Sequence, residues 1–163
     1  MRSLLLGVAA FAAMEPVTAA THRVVMHGPG MVLHRSHHRR GRRRSSSGPA
    51  ASTGWELNDA FPVMFAGVVG VALWLGFHSP RLVDLVPIGI GITAYGAAYA
   101  IVHDIYIHRR LRWFGDRRIA GLERLTAAHD LHHRYGGAPF GMLVPVVPRR
   151  LRSPQRVATV PGP

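Results

Sequence analysis

"AFPVMFAGVVGVALWLGFHSPRLVDLVPIGIGITAYGAAYAIV", residues 60–102, decides the fold. Ala60–Phe77 carries no charge, and Leu82–Val102 carries only Asp84 near its start. As helices, both runs are about long enough to cross a ~30 Å hydrocarbon core. Only "HSPR", 78–81, joins them, so they form a tight helical hairpin. Gly89, Thr93 and Ala97 recur every four residues, a small-residue stripe that admits a neighbouring helix at close range.

Upstream, Leu4–Ala20 ("LLLGVAAFAAMEPVTAA") is a third apolar run, interrupted by Glu15 and Pro16. A basic start, an apolar run and small residues also describe a secretory signal peptide. The interruption, and the direct continuation into a histidine motif, favour a retained helix over about 4–25. The fold class expected is therefore an all-α integral membrane protein with three or four transmembrane helices, at about 4–25, 60–77 and 82–102. "APFGMLVPVV", 138–147, is too short and too proline-broken to span; it suits an interface or the mouth of a cavity.

The net charge of +12 comes from 20 arginines and no lysine. These arginines flank the apolar runs, where they set topology and touch headgroups, so no nucleic-acid partner is expected. Arg35, Arg39, Arg40, Arg42, Arg43 and Arg44 follow the first run, and Arg109, Arg110, Arg112, Arg117 and Arg118 follow the third. With three spans, both clusters fall on the cytoplasmic side and "HSPR" faces outward. One membrane domain over 1–147 is expected, with a mobile basic loop at 39–54 ("RRGRRRSSSGPAASTG") and a disordered basic tail at 148–163.

With no cysteine, a metal site must draw on histidine, carboxylates or backbone oxygens. Ten of the 11 histidines fall into two like-ordered pairs of motifs. His22 and His27 precede His34, His37 and His38; His103 and His108 precede His129, His132 and His133. The order is an internal repeat of a ligand set, although the flanking sequence shows no duplication. At about 100° per residue, the three histidines of HxxHH lie near 0°, 300° and 40° and share one helix face. Residues five apart diverge by roughly 140° on an ideal helix, so HxxxxH needs a helix end, a kink or a π-bulge. Ten imidazoles supply two metals with about five each, or about four each with the others bridging or holding the ligands from behind, on the cytoplasmic side, and imidazole suits Zn, Cu, Fe or Ni. His78, in the outer turn, is read as packed or solvated.

Four further residues are candidates for holding the ligands. Glu15 lies seven residues before His22, on nearly the same helix face and two turns deeper. It is either a partner or proton relay for the site, or a packing residue of the bundle. Asp104, four before His108, can hold that imidazole through its other nitrogen, or pair with Arg109 or a neighbouring arginine. Asn58 and Asp59 precede the second run, where either can cap its helix.

"MEPVTAATHRVVMHG", "LHRSHH", "ELNDAFPVMFA", "TAYGAAYAIVHDIYIHRR", "LERLTAAHDLHH" and "PFGML" resemble the bacterial β-carotene hydroxylases, within the histidine-rich fatty acid hydroxylase superfamily. The resemblance runs from about Met14 to Leu143; the loop at 39–54 is longer and richer in arginine than that family leads one to expect. It implies a non-haem diiron monooxygenase with two Fe held by the ten histidines and O2 as co-substrate. The implied reaction hydroxylates the β-ionone ring of β-carotene at carbon 3, giving β-cryptoxanthin and zeaxanthin. The implied partners are a carotenoid drawn from the bilayer, membrane lipid and a ferredoxin-type electron donor. The implied place is the bacterial cytoplasmic membrane, with the metals facing the cytoplasm. A fatty acid or sterol hydroxylase or desaturase of the same superfamily fits the same spacing, and so does a non-enzymatic, membrane-anchored metal-binding protein.

Overall fold

A computed structural model describes residues 1–47, 54–111, 113–115 and 117–152. Helix α1 covers Arg2–Thr21, α2 Met31–Ser47, α3 Ala60–His78, α4 Leu85–Ala100 and α5 Ala120–Tyr135. No strand occurs among the described residues. Two of the helices run on into π-helical segments, α1 into His22–Met26 and α4 into Ile101–Ile107.

Among the described residues, three continuous helical stretches are long and apolar enough to cross a membrane: Arg2–Met26, Leu57–His78 and Leu85–Ile107. They lie at the three places the hydropathy pattern indicates. Their apolar side chains are largely turned outward; on α3, Val68 is 65% and Trp74 59% exposed. Such a surface is costly in water and natural against lipid tails, and it marks these helices as those of a membrane protein.

Alpha4 is the centre of this layer, with α1 along one side and α3 along another. The small residues divide that work. A Cβ on Gly91 would stand 2.1 Å from the Gly7 carbonyl oxygen, so α1 and α4 cross backbone to backbone at two glycines. Gly89 instead receives Leu73 of α3, whose Cδ2 would lie 2.6 Å from an added Cβ. Arg2 pairs with Asp84 at the far end of the same two helices. The stripe at Gly89, Thr93 and Ala97 thus foretells one contact, and Gly91, off the stripe, makes the closer one.

The short 3-10 turn that leads into α3, Leu57–Asp59, opens on a capping box: the Glu56 N–H donates to Asp59 Oδ2 (2.9 Å), and the Glu56 side chain caps the Asp59 N–H in return. Alpha5 ends at Gly136, whose φ of 64° needs a residue without a Cβ penalty, and whose N–H returns to the His132 carbonyl (2.8 Å). Two boundaries differ from the sequence reading. The basic loop expected from residue 39 begins later, because α2 continues through Ser47; residues 48–53 lie outside the described set. The tail expected from residue 148 starts with a short turn, Arg149–Leu151, and residues 153–163 lie outside the described set.

Alpha2 and α5 pack against each other and against the π segments, at the end of the bundle opposite the Pro80–Leu82 turn. The most buried place among the described residues is here, and it is polar. His132 is 0% and His34 1% exposed, while the neighbouring apolar cluster, Val102, Tyr106, Ile107 and Met142, is small.

Candidate metal centre

Each HxxxxH pair is closed by its π segment. The His27 N–H donates to the His22 carbonyl (3.0 Å), and the His108 N–H to the His103 carbonyl (2.8 Å). An i→i+5 bond sets residues five apart over one another, which an α-helix does not do. Ring centroids come to 5.1 Å for His22–His27 and 4.5 Å for His103–His108. Of the three ways to close this spacing, both motifs use the π turn.

The ten imidazoles form two groups. His22, His27, His34 and His132 bring their ring nitrogens within 4.8 Å of one another, and so do His37, His103, His108 and His129. His38 joins the first, with Nε2 3.1 Å from His34 Nε2 and 3.3 Å from His27 Nε2. His133 joins the second, with Nε2 2.7 Å from His129 Nε2. The rings of His38 and His133 are 4.9 Å apart and form the seam.

The middle histidine of each HxxHH motif crosses over: His37 of α2 serves the second group, and His132 of α5 the first. The cause is helical. The fourth position of the motif lies about 100° from the fifth, so on facing helices it points into the partner's cluster. The spacings repeat from group to group. His22–His34 and His103–His129 are both 4.9 Å; His27–His34 and His108–His129 are both 5.0 Å. The crossing pairs, His22–His132 and His37–His103, are 4.5 and 4.8 Å.

Hydrogen bonds at Nδ1 show what the groups fit. His22 Nδ1–H donates to the Phe140 carbonyl (3.2 Å), His132 Nδ1–H to the Gly137 carbonyl (2.7 Å) and His34 Nδ1–H to Asn58 Oδ1 (2.7 Å). With their protons committed there, these rings turn Nε2 lone pairs inward. His22 and His34 then face each other, lone pair to lone pair, at 3.0 Å. Two acceptors at that distance repel unless a cation lies between them, so the donor set fits a divalent metal. Burial pushes the His34 and His132 imidazoles down to about 4 and His133 to about 2, with neighbouring imidazoles adding to the shift. His37 and His129 are driven well below the usual range for the same reasons, and His27 is lowered by burial. All six are neutral at pH 7, the state in which imidazole binds a metal.

The four supporting candidates fall in different places. Asn58 orients His34. Asp59 closes the capping box and is gripped by Arg110, whose two terminal nitrogens donate to its two oxygens at 2.6 and 2.7 Å. Asp104, expected to hold His108, has Oδ1 3.1 Å from Nδ1 of the adjacent His103 and 3.7 Å from Arg110. Glu15 accepts from the backbone of residues 142–144 and from Tyr95. His78 stacks on Trp74 and bonds its carbonyl (2.7 Å) in the turn-side end of α3.

Three participants carry no titratable signature in the sequence. The carbonyls of Gly137 and Phe140 are backbone atoms, and nothing in a residue's identity announces them. The Phe140 ring lies 5.5, 5.2 and 5.5 Å from His22, His27 and His132. Glu56 was open to detection, as the one other acid in the segment before α3; its Oε2 lies 3.9 Å from His37 Nδ1.

The family model for fatty acid hydroxylases matches residues 7–151. The chain is similar to "Beta-carotene hydroxylase" of Pseudescherichia vulneris, 38% identical over 86% of this chain and 76% of that one. It is likewise similar to "Beta-carotene hydroxylase" of Pantoea ananas, at 36% over 80% and 70%. With "Beta-carotene 3-hydroxylase, chloroplastic" of Haematococcus lacustris it is 36% identical over 98% of its own length, and there it spans about half, 46%, of the relative. No solved structure matches. Two interleaved sets of imidazoles at the ends of membrane-length helices, together with a match over nearly the whole length, place the chain in the fatty acid hydroxylase family.

Proposed function

We propose that this protein is an O2-dependent carotenoid hydroxylase acting at carbon 3 of the β-ionone ring. The two like-shaped imidazole groups, set where apolar helices end, carry the reading. Relatives bearing the β-carotene hydroxylase name support the choice of substrate. His22, His27, His34, His38 and His132 hold one iron; His37, His103, His108, His129 and His133 hold the other. When bound, the two irons supply the reduction of O2 and an oxidant strong enough for an unactivated C–H bond. The balance is C–H + O2 + 2 e⁻ + 2 H⁺ → C–OH + H2O.

The chain's own residues do the rest. Backbone carbonyls and Asn58 fix three imidazoles with Nε2 inward, while Asp104 and Glu56 flank His103 and His37. Phe140 walls the first group with an apolar ring. A C40 hydrocarbon dissolves only in the bilayer and reaches the site along the lipid-facing helices. The site faces the cytoplasm of a bacterial cytoplasmic membrane, where a ferredoxin-type donor delivers electrons to a surface rich in arginine.

Expression in a β-carotene-accumulating bacterium, followed by pigment separation, tests the proposal. β-Cryptoxanthin and zeaxanthin are expected. Unchanged β-carotene beside confirmed membrane expression overturns it, and altered host fatty acids in place of pigments would reassign the substrate.

A further inference from the structure

Glu15 sits in the apolar layer, and its carboxylate gathers four donors. Oε1 accepts from the N–H groups of Met142 and Val144, both at 2.9 Å. Oε2 accepts from the Leu143 N–H (3.1 Å) and the Tyr95 hydroxyl (2.6 Å). Tyr95 is buried, and its hydroxyl is also 2.8 Å from Thr18 Oγ1. The approach is close: a Cβ on Gly141 would stand 2.6 Å from Oε1, so a glycine lets the backbone settle on the carboxylate.

The residues immediately before this run touch the site. Gly137 and Phe140 offer the carbonyls that take the Nδ1 protons of His132 and His22, and the Phe140 ring lies against three imidazoles of the same group. Residues 137–144 therefore form a strap. One end aims imidazoles, and the other is tied by a single carboxylate to α1, the helix that runs on into the π segment carrying His22. The second group has a different arrangement, with the side chains of Asp104 and Glu56 beside His103 and His37.

We propose that Glu15 is a positioning residue for one metal centre: by fixing the strap it aims His22 and His132 and sets the affinity of the first imidazole group alone. The inference rests on the metal-binding reading above. The Glu15→Gln variant keeps the volume but replaces one acceptor oxygen by an NH2 group facing N–H donors. Partners that orient metal-bound histidines are worth about 10–100-fold in metal affinity.

The test is a cobalt(II) titration of the metal-free, full-length protein in lipid nanodiscs, followed by its visible spectrum, with hydrogen exchange at residues 137–147. Wild type is expected to bind two equivalents. In E15Q one equivalent is expected to stay tight, the other to weaken about 10–100-fold, and the strap amides to exchange faster. Adding His103→Ala, which damages the second group, should then leave no tight equivalent. If E15Q does not fold, Tyr95→Phe removes one of the four donors and should weaken the same single equivalent to a smaller degree. Both equivalents unchanged in the foldable variant, or both weakened equally, overturns the proposal. A wild type that binds no cobalt overturns the metal reading itself.

Discussion

His22, His27 and His34 reach their places through six intervening residues, 28–33, while His103, His108 and His129 are separated by an excursion of twenty, 109–128. The ring spacings nevertheless agree within a few tenths of an ångström for the pairs His22–His34 and His103–His129, and His27–His34 and His108–His129. The two groups are alike inside and unlike outside. Around the first, Nδ1 protons go to neutral acceptors, the Phe140 and Gly137 carbonyls and Asn58. Around the second stand carboxylates, Asp104 beside His103 and Glu56 beside His37. A carboxylate makes the imidazole it faces a stronger donor than a carbonyl does. Under the proposed function, equal ligand cages would thus hold two metals of different character, the second the more electron-rich.

The crossing histidines offer the sharpest way to break that comparison. His132→Ala should empty the first group although His132 stands in the second HxxHH motif, and His37→Ala should empty the second. Metal analysis is expected to fall from about two ions per chain to about one in each variant, with zeaxanthin formation lost in both. Loss of the centre that matches the motif's own order in the chain would show that the crossing is wrong.

A smaller effect is expected from the outer carboxylates. Asp104→Asn removes the charge beside His103 and should weaken one of two metal equivalents by about 10–100-fold, leaving the centre walled by Phe140 unaltered. Glu56→Gln should act on the same equivalent more weakly, since its 3.9 Å separation from His37 is longer than a hydrogen bond. An effect of either on the first centre would erase the contrast between the two surroundings.

Acid should act on both groups when no metal is bound. His132 sits near 4 in the folded protein, against about 6.5 when unfolded. Below 6.5 the unfolded chain therefore takes up more protons, so stability falls as pH drops through 6.5 and levels off near 4. At pH 5 this one group costs on the order of 2 kcal/mol. Thermal melts of metal-free protein between pH 7.5 and 5 should show a falling midpoint. Added metal should flatten the slope until protons displace it. A flat profile without metal would mean that these imidazoles are not buried as neutral groups.

Much of this was legible in the sequence because the determining patterns were local. Three apolar runs of membrane length become three helices, and the angular arc of HxxHH foretells one face. The five-residue spacing of HxxxxH demands a departure from the α-helix, and His22–Met26 and Ile101–Ile107 supply it as π turns. The exchange of His37 and His132 was not legible, since it depends on how α2 and α5 face each other. Nor were the Gly137 and Phe140 carbonyls, for backbone acceptors leave no mark in composition. The partner of Asp104 follows from the same π turn: helical counting by four points to His108, and the widened turn brings the carboxylate to its neighbour His103. Glu15 shows the limit from the other side, because an acid within an apolar run is conspicuous while the amides it collects lie 127 or more residues away.

The mildest expected effect concerns Arg110, which has no counterpart at the first group among the described residues. Its guanidinium grips Asp59 through two hydrogen bonds, reaches the Gly54 carbonyl at 3.2 Å and stands 3.7 Å from Asp104. The bonds it donates to Asp59 first, and the charges of Asp59, Asp104 and Glu56 after them, push the Arg110 pKa above its usual range. Arg110 therefore ties the loop after α4 to the start of α3 and offsets part of the negative charge behind the second group. Arg110→Lys keeps the charge but loses the planar fork, which should lower stability by about 1 kcal/mol. The remaining ammonium leaves the field of the carboxylates as it was, so the second metal should weaken by only a few-fold, through the loosened loop, far less than in Asp104→Asn. Arg110→Met removes the charge as well. If the carboxylates act through their field on His103 and His37, that variant should hold the second metal at least as tightly as Arg110→Lys despite a lower melting temperature. Melting temperature and metal affinity falling together in both variants would instead make Arg110 a support of the cage, and the comparison would then rest on packing rather than charge.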